Sequence, residues 1–597
     1  MSLKSDRIKN TRRNAIWGIV NKFITILLPF ITRTVLIYVL GVEYVGINGL
    51  FSSILQVLSL AELGFSSAIV YSMYKPLAEN DNDVVCALLQ FYKKIYRCIG
   101  SIVLIIGVAL IPFLKYLISG SCPSDVNIYV VYIIYLLNTS CSYFLFAYKK
   151  SLLSAVQRQD IISKVAMINK IISSFIQIVG LLLLKQYYIF IVVLPLMSLL
   201  DNLLCEFLAK KYYPQFECHG KLDKKYKEDI IEKTKGLLIH KICGVTRNSC
   251  DNIFISMFLG LTPVGIYSNY YYVMSSVRGI LDVFTVSMSA SVGNSVAIES
   301  VEKNYKNLNL FTFIYEWLCG WCTVCMLCLF QPFMRIWVGE KAMFSFDVVI
   351  AICIYFYVWT IGDIKSQYAD AAGLWWKDRI RASVEAIANI ALNYVLVKNF
   401  GVFGIVIATA ISILFIGFPW STKIVFDNYF KGKSFLRYMR DEVFYAVVTI
   451  IVCFVTYEIC NFVNVSGILG LIIYAVICVI IPNVLYLLAY FKSRYFKDAV
   501  RFVKKIVVRL NIIITIAIIN GIHHFFIPSD LSVSECFISI MLSTIMIMPI
   551  GILIIAAIEV GENRANIPKP VEITPITSSK YIPPSLSTKK EIMLNSP

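Results

Sequence analysis

The chain has 597 residues, of which 58% are hydrophobic and only 15% charged, and it carries a net charge of +18. Soluble globular chains are about one-quarter charged, so this balance excludes them, and no polar linker between domains appears before residue 560. The excess of Lys and Arg falls in alternate loops rather than in one patch, which excludes a nucleic-acid partner.

Apolar runs of about twenty residues recur at short intervals, each long enough to cross a hydrocarbon core of roughly 30 Å. The basic start, Lys4 to Arg13, and the apolar run behind it have the layout of a signal peptide. The run continues from Asn14 to Leu40 with no small-residue cleavage site, so it is expected as a first span. Helices are predicted at 14–40, 45–71, 97–118, 127–147, 161–184 and 187–208. A second set is predicted at 236–259, 264–292, 308–336, 346–369, 380–398 and 402–425, followed by two at 442–462 and 466–491. With the N-terminus inside, the inner loops hold 39 Lys and Arg and the outer loops 5, the asymmetry expected of a multi-pass protein. The basic inner face is suited to anionic membrane lipids.

The expected fold class is all-α and polytopic: two six-helix bundles, two further helices, and one or two extra C-terminal apolar helices. Residues 1–208 form the first bundle, 209–235 a cytoplasmic basic linker and 236–430 the second bundle. Helices 13 and 14 occupy 431–491, and a basic amphipathic stretch at 492–510 is expected to lie on the inner surface. An extra apolar pair covers 511–560, and a Pro-, Ser- and Thr-rich tail at 561–597 is expected to be disordered. The two halves share a pattern. Leu40-Gly41 and Val45-Gly46-Ile47 recur as Leu259-Gly260 and Val264-Gly265-Ile266, an offset of 219 that also sets Lys22 on Lys241. Such repeats are a transporter architecture.

Ionisable side chains inside the bilayer cost about 2.5–3.5 kcal/mol each on insertion scales, so each needs a reason. Lys22 and Arg33 lie eleven residues apart on one face of the first helix. At 1.5 Å per residue, Lys22 lies about 28 Å below the Gly41 turn and Glu62 about 24 Å below it, so Glu62 is placed to neutralise Lys22. Arg33, about 12 Å deep, has no such partner. Two i,i+4 pairs follow, Arg247 with Asp251 and Arg278 with Asp282, and Lys170 lies in the fifth span. Each pair either neutralises itself and orders its helix, or places its Arg on a cavity with the carboxylate tuning it. Lys22 either snorkels to the interface or lines that cavity; Arg33 either caps carbonyls of a neighbouring helix or does the same. Lys170 divides between interfacial anchor and cavity residue. Glu316 and Glu385 are assigned to structure. A cavity lined by Lys22, Arg33, Lys170, Arg247 and Arg278 and tuned by Glu62, Asp251 and Asp282 would take an anionic ligand, with Arg the best fork for phosphate oxygens. Tyr267 and Tyr270 to Tyr272 are near enough to stack on sugar rings.

Cys319, Cys322, Cys325 and Cys328 recur every three residues, but four thiols on one rigid helix fan across half its circumference and cannot converge on a metal. They are expected to be packing residues. The histidines have no ligand cluster around them, and phosphate loops and nucleophile elbows are missing from the sequence, so no cofactor, metal or catalytic residue is expected.

Asn48-Gly49-Leu50-Phe51, Leu60-Ala61-Glu62-Leu63-Gly64 and Met73-Tyr74-Lys75-Pro76 resemble the polysaccharide-exporter branch of the multidrug/oligosaccharidyl-lipid/polysaccharide superfamily. So do Thr246-Arg247-Asn248-Ser249, Gln331-Pro332-Phe333-Met334 and Gly373-Leu374-Trp375-Trp376, in the same order over residues 10–490. The resemblance implies a flippase of the bacterial inner membrane that moves undecaprenyl-diphosphate-linked oligosaccharide units outward for capsule or O-antigen assembly. It implies no enzyme activity, and as partners the polymerase and export proteins of the same pathway. A cation-coupled multidrug exporter of the same fold is the alternative; such exporters generally carry a carboxylate in the first helix. A membrane polysaccharide polymerase would need a sizeable outer loop, and the predicted outer loops are short.

Overall fold

A computed structural model describes residues 3–504 apart from 60–64, 121 and 146–147. The expected extra apolar pair at 511–560 and the tail at 561–597 lie outside the described residues, as does Glu62. Among the described residues the chain is helical, with no strand. The first half contains α1 (Leu3–Val39), α2 (Val42–Leu58), α3 (Phe65–Glu79), α4 (Asn82–Leu110), α5 (Ile128–Phe144), α6 (Tyr148–Ala155), α7 (Gln159–Leu184) and α8 (Tyr187–Tyr212). The second contains α9 (Lys224–Leu259), α10 (Leu261–Ile298), α11 (Val301–Trp337), α12 (Phe346–Thr360), α13 (Asp363–Ala371), α14 (Trp375–Ser412) and α15 (Phe418–Asn428). Two more helices, α16 (Phe435–Val463) and α17 (Gly467–Tyr490), follow.

Several helix starts are set by local capping. Asp81 accepts from the Val84 amide at 3.1 Å, Ser300 from Lys303 at 3.3 Å and Ser434 from Arg437 at 3.2 Å, each meeting a donor that a helix N-terminus leaves open. Among the described residues ten helices are long and apolar enough to cross a membrane, or eleven if α5 and α6 are taken as one bent span. Of the other predicted spans, 45–71 falls on α2 and α3 across the undescribed 60–64, and 236–259 on the more polar α9. The spans predicted at 380–398 and 402–425 form one 54-residue apolar stretch, Trp375–Asn428, broken where Gly401 takes φ 55° and ψ −134°.

Burial is reversed relative to a soluble protein. Ile105, Phe175, Leu183, Ile450, Phe454 and Phe462 are exposed, while Asn389, Asn393, Thr409 and Ser412 are fully buried. An apolar exterior of this extent needs hydrocarbon around it, and polar groups inside it must find partners within the protein. The chain is a multi-pass membrane protein.

Within the first half, α1 packs along α7, and α5 and α7 pack on α8; within the second, α9 and α12 pack on α14 while α11 is flanked by α16 and α17. The halves meet chiefly through α2 and α10. Here the sequence repeat becomes a contact. A Cβ on Gly46 would strike the carbonyl oxygen of Leu261, and a Cβ on Gly265 would strike that of Val42. The two glycines are equivalent in the repeat, and so are the two carbonyls, each four residues earlier. Glu43 and Thr262, also equivalent, are hydrogen-bonded across the seam at 3.2 Å. Gly41 (φ 120°) and Gly260 (φ 91°) make the matching breaks before α2 and α10.

Of the basic stretch at 492–510, residues 494–504 are helical. Phe496 stacks near Trp317 and Phe502 meets Phe311, so the apolar side packs on α11 instead of facing lipid, with Arg494 and Arg501 outward.

Gly46→Val and Gly265→Val each insert a branched side chain where two backbones touch, and each is expected to destabilise the protein by about 1–3 kcal/mol or more. Thermal unfolding in detergent checks this: both midpoints should fall by similar amounts, and a wild-type midpoint in either would contradict the reciprocal contact.

Candidate functional site

The cations singled out in the sequence separate into four places. Arg33 and Lys22 lie along the seam between α1 and α10. The Arg33 Nη1 donates to the Ser268 carbonyl at 3.0 Å, and its guanidinium lies 5.4 Å from the Tyr272 ring centre. One helical step further along α10 the Tyr272 hydroxyl donates to the Ile26 carbonyl, and the Lys22 ammonium lies against Gly279. Residues 22, 26 and 33 thus run antiparallel to 279, 272 and 268. Arg33 does cap a carbonyl of a neighbouring helix, but with one of its five donors. Among the described residues neither Lys22 nor Arg33 makes an ion pair with a carboxylate.

Arg278 faces the other way. Its Nε donates to Asp282 at 3.1 Å, as the i,i+4 spacing predicts, and its two terminal nitrogens reach Asp363 of α13 at 2.8 Å. Trp359 covers the guanidinium at 4.9 Å and gives its carbonyl oxygen at 3.2 Å. Tyr315 of α11 donates to the same Asp363.

Arg247 departs from the sequence expectation. Its ion pair is with Glu385 of α14 at 2.6 Å and not with Asp251. Asp251 is instead fully enclosed by neutral donors, Tyr267 at 3.1 Å and Asn393 and Thr409 at 3.2 Å. The reason is geometric: α9 and α14 lie side by side, so a carboxylate on the neighbouring helix outcompetes one on the next turn. Glu385 also binds Arg381, which binds Asp378, closing an Arg–Glu–Arg–Asp chain. Glu316 accepts from Tyr357 at 2.9 Å.

Arg247, Arg381 and Lys365 line one cavity of about 280 Å³ inside the second half, with Asp363, Asp378, Glu385 and Trp359 also in its wall. Lys365 bonds the Ser421 hydroxyl there. The cavity is therefore mixed in charge, and the sequence reading missed Asp363, Lys365 and Arg381 as its members. A carboxylate and an ammonium inside the predicted span 346–369 were the available signal. Lys170 stands apart on α7, half-buried, with no ion pair among the described residues. The tyrosines expected to meet sugars are engaged elsewhere: Tyr267 and Tyr270 are buried, Tyr270 bonded to Gln331 at 3.2 Å, and Tyr271 stacks towards Trp359.

Glu385→Gln removes the charge that holds two buried arginines and is expected to cost about 3–5 kcal/mol, whereas Asp282→Asn, at a carboxylate that is nearly half exposed, should cost under about 1 kcal/mol. Folded yield and thermal midpoint in detergent separate the two; an unaffected Glu385→Gln variant would show the buried chain to be dispensable.

Comparisons with known proteins place the chain in context. A family model described as "Polysaccharide biosynthesis protein" matches residues 11–290. No curated protein matches the sequence. Among solved structures, "Lipid II flippase MurJ, inward closed conformation" is similar at 18% identity over 80% of this chain and 98% of that one, with a TM-score of 0.55. An inward-facing multidrug resistance MATE family transporter of the MOP superfamily is similar at 14% identity over 68% of this chain and 96% of that one, with a TM-score of 0.53. At these identities the likeness is one of fold.

Proposed function

We propose that this chain, which matches a polysaccharide biosynthesis family model over residues 11–290 and has a fold similar to that of a lipid II flippase, is a flippase of the polysaccharide-exporter branch for undecaprenyl-diphosphate-linked oligosaccharide repeat units. It moves them outward across the bacterial inner membrane, its N-terminus on the cytoplasmic side, and supplies capsule or O-antigen assembly.

One observation carries this reading. Lys22 and Arg33 sit in a membrane-spanning helix at the junction of the two halves, and among the described residues no carboxylate neutralises them. Three arginines of the second half, by contrast, are compensated: Arg247 by Glu385, Arg278 by Asp363 and Asp282, Arg381 by Asp378 and Glu385. Positive charge left open at such a seam favours an anionic guest, and a diphosphate offers several oxygens to the guanidinium fork. Two halves joined along α2 and α10 provide the parts for alternating access, with the headgroup between them and the lipid tail in the bilayer. Arg247 and Arg278 are held by Glu385 and by Asp363 and Asp282, and Lys170 stands apart on α7, so Arg33 and Lys22 carry the headgroup contact in this reading. The multidrug-exporter alternative would look for a carboxylate within residues 14–39, where Lys22 and Arg33 stand instead.

Deleting the gene should cause lipid-linked repeat units to accumulate on the cytoplasmic leaflet, read by their accessibility to enzymes added to inside-out and right-side-out vesicles; an unchanged distribution would reject the proposal. In the complemented strain Arg33→Ala should abolish export at normal protein level. Arg33→Lys, which keeps the charge but loses the fork, should slow it by about tenfold to a hundredfold. Export at the wild-type rate in Arg33→Ala would remove the seam from the mechanism.

A further inference from the structure

The cysteine series on α11, dismissed as a metal site because one helix cannot converge four thiols, acquires partners from two other helices. Cys328 of α11, Cys460 of α16 and Cys478 of α17 bring their sulfurs within 4.8 Å of one another, and all three residues are buried. Cys478 enters the cluster from the middle of α17. It is also fixed from behind, since the Trp321 indole nitrogen donates to its carbonyl oxygen at 2.7 Å. The described cysteines are all free thiols.

We propose that Cys328, Cys460 and Cys478 form a binding site for a soft monovalent metal ion, Cu(I), that ties α16 and α17 to α11. The geometry is near that required. Three sulfurs each about 2.3 Å from one ion in a plane lie about 4 Å apart, so the thiols need only small rotations to close on it. The donor set selects the ion. Sulfur-only ligands favour Cu(I), Zn and iron–sulfur clusters over harder ions. A closed Zn site takes four ligands, whereas Cu(I) is satisfied by the three that converge here. The apolar surroundings select the charge as well. Binding one Cu⁺ displaces one thiol proton to the aqueous phase, leaving one thiolate and two thiols around the ion and a site with no net charge, which hydrocarbon tolerates. Cys460 lies in the last turn of α16, next to the short connection between Val463 and Gly467.

This inference is independent of the cargo. α16 and α17 stand outside the two repeated six-helix sets, and their attachment to the second half runs through α11. A metal at that junction stiffens it without touching the α1–α10 seam.

The test uses the full chain purified in detergent, reduced and free of oxygen, and titrated with Cu(I) against the chromophoric chelator bathocuproine disulfonate. Wild-type protein is expected to hold about one ion per chain and to unfold at a higher temperature when loaded. Cys478→Ser is expected to weaken retention by about tenfold or more and to lose the thermal shift, while Cys243→Ser, half-buried on α9 and outside the cluster, behaves as wild type. If Cys478→Ser does not fold, Cu K-edge absorption of the loaded wild type decides, with three sulfur neighbours and no nitrogen or oxygen expected. Failure of the wild type to retain Cu(I), retention equal in Cys478→Ser, or nitrogen or oxygen in the first coordination shell would each overturn the site.

Discussion

The approach of α2 to α10 at Gly46 and Gly265 is the constraint on which the rest of the structure is hung. Helices in hydrocarbon gain little from apolar contact with each other, because lipid offers the same; close backbone packing at small residues is what holds them. The contact is reciprocal, each glycine receiving a carbonyl from the other helix, and this self-complementarity is what a duplicated unit folded against its copy produces. It fixes the register of both helices. That register in turn sets α1, joined to α2 by a two-residue break, along the upper face of α10, where Arg33 finds Ser268 and Lys22 finds Gly279. Gly279 is small enough to admit the ammonium, and a larger residue there would displace it.

The same economy of contact explains the distribution of charge. An ion pair inside a membrane protein is expensive to form and more expensive to break, so Arg247, Arg278 and Arg381 in the second half are each held by one or two carboxylates, and Arg278 by the Trp359 ring and carbonyl besides. The Arg247–Glu385–Arg381–Asp378 chain joins α9 to α14 and acts as a strut. Such a strut has no charge to spare for a guest. The α1 cations are of another kind: one is anchored by a neutral carbonyl and an aromatic ring, the other lies against a glycine surface, and among the described residues neither meets a carboxylate.

Much of this was legible in the sequence, and what was not has a physical cause. The repeated Leu-Gly and Val-Gly-Ile segments were legible because the matched glycines Gly46 and Gly265 meet each other's helices at the same spacing. Arg278 and Asp282 were readable as a pair because i,i+4 neighbours meet on any helix. Arg247 was misread by the same rule: its partner is 138 positions away, on a helix whose neighbour only the fold determines. The cavity wall at Asp363, Lys365 and Arg381 was hidden for a related reason. Lys365 and Arg381 fall at the ends of the predicted spans 346–369 and 380–398, and only the turn through α13 brings both inward, where they are buried.

The cysteines show most clearly what periodicity can and cannot decide. A step of three along one helix correctly rules out convergence of Cys319, Cys322, Cys325 and Cys328 on a point. It says nothing about Cys460 and Cys478, which are far off in the chain and arrive beside Cys328 only because α16 and α17 pack on α11. Thiols scattered singly through an apolar helix are interchangeable with alanine or serine as packing units. Three thiols from three helices, with their sulfurs turned to one point, are not, because random packing would turn them outward as readily as inward. Convergence from independent elements is the property that distinguishes a site from a composition.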